Sequence, residues 1–351
     1  MNTARWATAA VVAALVVAGA AVPAGAAAAP SLAAPSPAAP AAVAPAVVAQ
    51  AAGRVDAAAL RKALAGLPDD YVRGAMVKVT GRDGRWSGTA GEWTAPAEAE
   101  FAIGSVTKLF TSAVVLQLVG EGRLSLDGTV QEVLPGLLPD SYAPITVGQL
   151  LSHTSGLQKP TCVRPGTPVE VVRSAVSCGT PGAPGSAVQY NGINYFVLGL
   201  VVEKVTGRTY AEELDDRVLR PLGLRHTRLP AGDWAWAEGG LVSDATDLRR
   251  FTTALIRGGL LRPAERRLLF AMPEVPGAAF SYGGLTRVEL KDGTVVWGKT
   301  GSHHGYASGV FATADLGRVL VYSTLPTGKD ADQEVARVRR IADAAFRGVP
   351  R

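Results

Sequence analysis

The hydrophobic rhythm of the chain changes twice. Short apolar and alternating runs come first: Gly74 to Thr80 and Trp86 to Ala90 flank Arg82-Asp83-Gly84. The pattern returns near the other end, where Thr286 to Leu290 and Thr294 to Trp297 flank Lys291-Asp292-Gly293. Asp-Gly supplies the left-handed backbone that tight turns need, so both pairs are predicted as β-hairpins. Gly309 to Thr313 and Arg318 to Ser323, parted by Asp315-Leu316-Gly317, predict another antiparallel pair. Between these ends the period is helical over Leu109 to Val119, Thr146 to Leu151, Asn194 to Val205, Tyr210 to Val218 and Thr246 to Ile256. Asp330 to Phe346 reads as a terminal amphipathic helix. Strands at both ends and helices between them predict an α+β fold: a sheet domain with a helical lobe inserted at roughly residues 125–270.

The first 52 residues stand apart from that pattern. Arg5 precedes an apolar run from Ala7 to Val22, and Ala24-Gly25-Ala26 offers small residues for cleavage. That is the anatomy of a secretory signal over residues 1–26, and the run falls short of the ~20 residues a spanning helix needs. Residues 27–52 are almost all Ala, Pro, Val and Ser, a composition too poor in bulky side chains to build a core, and read as a disordered tether. Residues 53–351 are long enough for one elaborated domain with a substantial core. Export to an oxidising compartment, extracellular or wall-associated, is the expectation. There the two cysteines, Cys162 and Cys178, should pair, pinning a Pro- and Gly-rich rim loop by about 3 kcal/mol.

Net charge is +5, but the basic residues are scattered until Arg337, Arg339, Arg340 and Arg347 gather on the last helix, expected to be a solvated face. No nucleic-acid motif accompanies them, so a nucleic-acid partner is not expected. His153, His226, His303 and His304 show neither His-Glu-x-x-His nor a Cys/His zinc spacing, so no metal is expected. A Gly-x-Ser-x-Gly elbow and a phosphate-binding glycine loop are both lacking, and no cofactor is implied.

Ser105-Val106-Thr107-Lys108 carries the sharpest chemistry. On a helix, residues three apart are neighbours, so the Lys108 amine can reach the Ser105 hydroxyl. Ile103, Val106, Leu109, Phe110 and Val114 surround it, and such apolar company disfavours the ammonium, predicting a neutral Lys108 able to accept the serine proton. Lys299-Thr300-Gly301 follows Val295-Val296-Trp297 and is placed at a strand end, where a cation, a hydroxyl and a bare backbone suit a carboxylate and an extended peptide. Tyr190 follows Pro184-Gly185-Ser186 and precedes the helix bearing Asn194, on a loop entering the helical lobe.

Taken together, these segments resemble the penicillin-recognising serine hydrolases, in particular the class C β-lactamase and D-alanyl-D-alanine carboxypeptidase branch. The likeness runs through Phe101 to Lys108, Leu150-Leu151-Ser152-His153-Thr154-Ser155-Gly156-Leu157, Asn194-Tyr195 through Gly207, and Gly239-Gly240-Leu241-Val242-Ser243. It implies an antiparallel sheet flanked by terminal helices beside an all-helical lobe, with the site in the cleft between them. It further implies that Ser105 forms an acyl-enzyme, that Lys108 and Tyr190 share the proton transfers with the base left open, and that the N–H groups of Ser105 and Ser302 hold the oxyanion. Lys299 and Thr300 would take the substrate carboxylate, and Gly301 would admit its backbone.

One position departs from the family pattern. Tyr-x-Asn would put asparagine at 192, where this chain has Gly192; Asn191 or Asn194 are the candidates to supply the missing amide. The resemblance implies a monomeric D-alanyl-D-alanine carboxypeptidase acting on peptidoglycan stem peptides and acylated by β-lactams. The alternatives are a β-lactamase or D-specific peptidase or esterase, and a penicillin-binding wall-peptide binder without turnover.

Overall fold

The structure is a computed structural model and describes residues 52–53, 55–158, 164 and 166–349. The expected signal and nearly all of the tether lie outside the described residues. Strands run over Ala52–Gly53 (β1), Val72–Gly81 (β2), Gly84–Gly91 (β3), Phe101–Ala102 (β4), Val242–Ser243 (β5), Thr286–Glu289 (β6), Val295–His303 (β7), Tyr306–Ala312 (β8) and Arg318–Pro326 (β9). Seven of them form one antiparallel sheet in the order β1-β3-β2-β9-β8-β7-β6, while β4 and β5 pair separately. The chain thus closes its sheet by laying the last strand, β9, beside β2, with Ala75 opposite Thr324 and Val77 opposite Tyr322.

Both faces of this sheet are covered, which is why Ala75, Met76, Val77, Val79 and Val319 to Tyr322 are buried without a strict alternation. On one face lie the helices Ala57–Leu64 (α1) and, at the far end of the chain, Ala331–Ala345, packing Leu60, Leu64, Ile341 and Phe346 against Val77, Val79, Trp86, Leu320 and Tyr322. On the other face lies the helical part, built around Thr107–Gly120 (α2) and Ile193–Thr206 (α3). Both are apolar nearly all round, as a helix at the centre of a lobe must be. Trp236–Gly239 (α4) and Ala245–Arg257 (α5) follow, and Ala331–Ala345 is α6. The five predicted helical segments are present, but the helix Pro168–Ser177 was not anticipated, and Tyr210 to Val218 changes at Asp215 from α-helix to a π-turn.

Three expectations need correcting. The first hairpin turns on Arg82-Asp83, with Gly81 opposite Gly84, one residue earlier than the Asp-Gly pair suggested. Lys299-Thr300-Gly301 does not end a strand: β7 continues to His303 and pairs with β8 through Thr300 opposite Gly309 and Ser302 opposite Ala307. The polar run Ser302-His303-His304 hid that continuation, because these residues lie at the open rim of the sheet. Finally, Arg337 is not solvated. It is 6% exposed, donates to the carbonyls of Ala63 and Ala65 at 3.0 Å, and pairs with Asp69, whereas Arg339, Arg340 and Arg347 are exposed as expected.

Candidate active site

Two glycines let the nucleophile meet the sheet. Ser105 lies not in the α-helix itself but in a 3₁₀ turn, Gly104–Val106, that leads into α2. Gly104 has φ +50°, and a Cβ there would fall 2.5 Å from Ser302 N; a Cβ on Gly301 would fall 2.0 Å from Ile103 O and 2.6 Å from Ser105 N. Turn and strand therefore touch backbone to backbone, a contact only glycine permits. The peptide segments of Ser105 and Ser302, the expected oxyanion donors, are the two in contact. Ser308 Oγ fixes the turn from the next strand by donating to Ile103 O at 3.1 Å.

Lys108, in the first turn of α2, is fully buried, and its Nζ donates to Ser105 Oγ at 3.0 Å, to Glu238 O at 2.6 Å and to Glu238 Oε2 at 2.5 Å. All three ammonium donors are thereby used. This overturns the expectation of a neutral amine. Burial does push the lysine down, but the Glu238 carboxylate, and then Tyr190, outweigh it and hold Lys108 above its ordinary value.

Tyr190 enters from its loop and places its hydroxyl 2.7 Å from Ser105 Oγ. The ammonium groups of Lys108 and Lys299 sit 5.2 and 4.9 Å from its ring centroid. Burial alone would raise the phenol, but these two cations prevail and bring it below its ordinary value. The ring rests on His153 and Phe280, at centroid distances of 4.5 and 5.3 Å. Burial first, then Lys108 and Lys299, keep His153 well below its usual value, so it serves as a neutral scaffold whose Nδ1 takes the Asn191 N–H at 3.3 Å.

Lys299 is 1% exposed, donates to Thr300 O at 3.0 Å and lies over the Tyr190 ring; burial above all holds its amine below the usual lysine value. Its nearest business is thus the phenol. Thr300 Oγ1 is buried without a hydrogen-bond partner among the described residues, and Ser302 is exposed at the rim.

The candidate amides do not reach this cluster. Asn191 is 2% exposed, donates to Leu157 O and Gln158 O at 3.0 and 2.7 Å, and accepts from Ile193 N at 2.9 Å. Asn194 is fully buried, accepting from Ser155 Oγ at 2.7 Å and lying 3.0 Å from His153 Nδ1. Both are therefore scaffold residues rather than substrate ligands, because their polar atoms tie the Tyr190 segment to the loop from His153 to Gln158.

Glu238 occupies the vacancy instead. A Cβ on Gly192 would meet its Oε2 at 3.0 Å, so the carboxylate fills the space beside Lys108 into which an asparagine at 192 would project. Sequence reasoning missed it. The available signal was a charged residue in Ala237-Glu238-Gly239-Gly240, inside a segment the resemblance already covered. Trp236, held at φ +41° and packed on Phe196 and Tyr210, sets the turn that aims it.

At the rim, His303 and His304 both direct Nε2 at Asp233, at 3.0 and 3.2 Å from its Oδ2. These three bring ligand atoms within 4.8 Å of one another and are the group among the described residues that could hold a metal ion. No sequence spacing announces them, since the aspartate lies seventy residues from the histidines. Cys162 lies outside the described residues; Cys178 caps the helix Pro168–Ser177.

Residues 57–345 match the Beta-lactamase family profile. Penicillin-binding protein 4 of Amycolatopsis lactamdurans is 35% identical over 137 residues, 37% of this chain, and Protein flp of Staphylococcus aureus strain MW2 is 32% identical over 139 residues, 36% of this chain. The chain spans only 36% and 28% of the length of these two curated relatives. Among solved structures, a D-stereospecific amidohydrolase from Streptomyces sp. superposes with a TM-score of 0.73 at 30% identity, covering 84% of this chain and 100% of that one. The D-amino acid amidase of Ochrobactrum anthropi SV3 shares the fold, with a TM-score of 0.70 at 21% identity over 82% of this chain and 98% of that one. With the profile matched across the sheet, the helical lobe and the Ser105 cluster alike, the chain belongs to the Beta-lactamase family of serine hydrolases.

Proposed function

We propose that this chain is an exported D-specific serine amidohydrolase that works through an acyl-enzyme on Ser105, with D-alanyl-D-alanine ends of peptidoglycan stem peptides among its substrates. The observation that carries the reading is the hydroxyl of Ser105 held between Tyr190 at 2.7 Å and Lys108 at 3.0 Å. Glu238 holds Lys108 in its charged form, and two cations lower the Tyr190 phenol beside Ser105, so we assign the base to Tyr190. Tyr190 as phenolate therefore removes the Ser105 proton, Oγ attacks the carbonyl, and the new oxyanion meets the Ser105 and Ser302 N–H groups. As the C–N bond breaks, Tyr190 returns the proton to the leaving amine. Water then repeats the cycle on the ester. Throughout, the Lys108 ammonium stabilises the phenolate and orients Oγ.

The amidohydrolase at 30% identity supports the D-amide substrate class, and penicillin-binding protein 4 supports acylation by a β-lactam. Carboxypeptidase action needs a partner for the substrate carboxylate; Thr300 Oγ1 and Lys299, both buried, would have to be uncovered to supply one. The test is a turnover panel of a D-alanyl-D-alanine peptide, nitrocefin and a D-aminoacyl amide, with fluorescent penicillin labelling of wild type and Ser105→Ala. Label on wild type alone, with turnover of a D-amide or D-peptide, is expected. Nitrocefin turnover alone would make the chain a β-lactamase, label without any turnover would make it a binder, and no label would overturn the chemistry.

A further inference from the structure

We infer that Glu238 is a subsite for a cation on the substrate, so that the acyl residue is recognised with its α-amino group free and protonated; this rests on the acyl-enzyme reading above. The carboxylate is placed within reach of such a group. Bonds of 2.5 and 3.0 Å meeting at Lys108 Nζ put Glu238 Oε2 no more than about 5.5 Å from Ser105 Oγ. In an aminoacyl ester on Ser105 the α-nitrogen is three bonds from Oγ, roughly 3 Å away. An ammonium directed from there toward Glu238 can come within hydrogen-bond reach of the carboxylate.

Glu238 also has capacity to spare. Lys108 engages Oε2, no hydrogen bond to Oε1 occurs among the described residues, and the side chain keeps 18% exposure while Lys108 has none. The space exists because residue 192 is glycine: an asparagine Cβ would start 3.0 Å from Oε2, so amide and carboxylate cannot both occupy this wall. An amide at 192 would present a neutral donor to an acylated nitrogen. A carboxylate presents only acceptors, which suit an ammonium. Gly192 and Glu238 thus act as one exchange that alters which acyl group the cleft takes: D-aminoacyl amides and short peptides with a free amino end, over N-acylated stem peptides.

The experiment compares D-alanine p-nitroanilide with its N-acetyl derivative in wild type and Glu238→Gln, by kcat/KM from pH 6 to 9.5, with penicillin labelling of Ser105 in parallel. Wild type is expected to prefer the free amine roughly thirtyfold, within the range for hydrogen bonds to charged groups. That preference should fade as the substrate amine loses its proton near about pH 8. Glu238→Gln also disturbs Lys108 and should slow both substrates, so the ratio is the readout: it should fall to about threefold or less. Gly192→Asn/Glu238→Ala should favour the N-acetyl substrate. Equal use of the two substrates by labelled wild type, a ratio unmoved in Glu238→Gln, or a preference unchanged across pH 8 overturns the subsite while leaving the acyl-enzyme reading intact. Absence of both label and turnover overturns the two together.

Discussion

Replacing Tyr190 by phenylalanine separates the phenol's proton transfer from everything else the ring does. The ring itself packs on His153 and Phe280, and Phe keeps those contacts. What disappears is one hydroxyl 2.7 Å from Ser105 Oγ. The expected stability loss is that of a single hydrogen bond, about 1 kcal/mol. The kinetic loss is much larger, because a positioned general base contributes about 10²- to 10⁴-fold. Lys108 cannot take over, since Glu238 keeps it charged. The informative assay is single-turnover acylation by a fluorescent penicillin or a D-alanyl ester from pH 5 to 10, alongside a thermal melt. In wild type the rate should fall on the acid side, as protonation of the depressed Tyr190 phenolate removes the base. In Tyr190→Phe the rate should fall about a thousandfold and that acid limb should vanish. A variant within tenfold of wild type, or one that keeps the same acid limb, would refute Tyr190 as the base.

Three further outcomes follow from the same contacts. Lys299→Met removes one of the two cations that lower the Tyr190 phenol, so the acid limb of acylation should move to higher pH; a fixed limb would show that Lys299 does not act on the phenol. Gly301→Ala drives a methyl to 2.0 Å from Ile103 O, backbone against backbone, and should cost about 1–3 kcal/mol in a melt and about 10²-fold in Ser105 labelling as the turn is displaced. Arg337→Met strands the Ala63 and Ala65 carbonyls and removes the partner of a partly exposed Asp69 carboxylate that keeps two backbone donors, for an expected loss of about 2 kcal/mol at pH 7 in urea. Although burial opposes it, the Arg337 bond lowers the Asp69 carboxyl, so this contribution is present above the ordinary carboxylate value and lost as pH falls through the depressed one. The gap between wild type and variant should therefore narrow toward pH 3.

Local pattern carried the reader far where structure is set by neighbours in sequence. The hairpins around Asp83 and Asp292, the central helices and the terminal amphipathic helix are each specified by their own turns and periodicity, and they appear where expected, the first turn shifted by one residue. Ser105 and Lys108 were legible for the same reason, being one turn apart. Strand β7 past Gly301 was not, because its rim residues are polar and its pairing partner, Tyr306 to Ala312, supplies the order that composition conceals. Arg337 reads as surface on a helical wheel; its burial depends on α1 and the turn at Asp69, more than 260 residues earlier.

The same distinction between near and far explains the misjudged charge of Lys108. Its sequence neighbours are apolar, and from them a neutral amine is the correct deduction. The group that reverses the sign is Glu238, 130 residues away, delivered by a tryptophan in a left-handed turn into a space left open by Gly192. A buried ammonium with its carboxylate removed would be left unpaired, so the glycine at 192 is tolerable only together with the acid at 238. On the proposed mechanism the proton-accepting role passes to Tyr190, whose own value is lowered by the cation Glu238 sustains. What looks in the sequence like a missing asparagine is, in the fold, a relocated polar partner whose charge keeps Lys108 protonated.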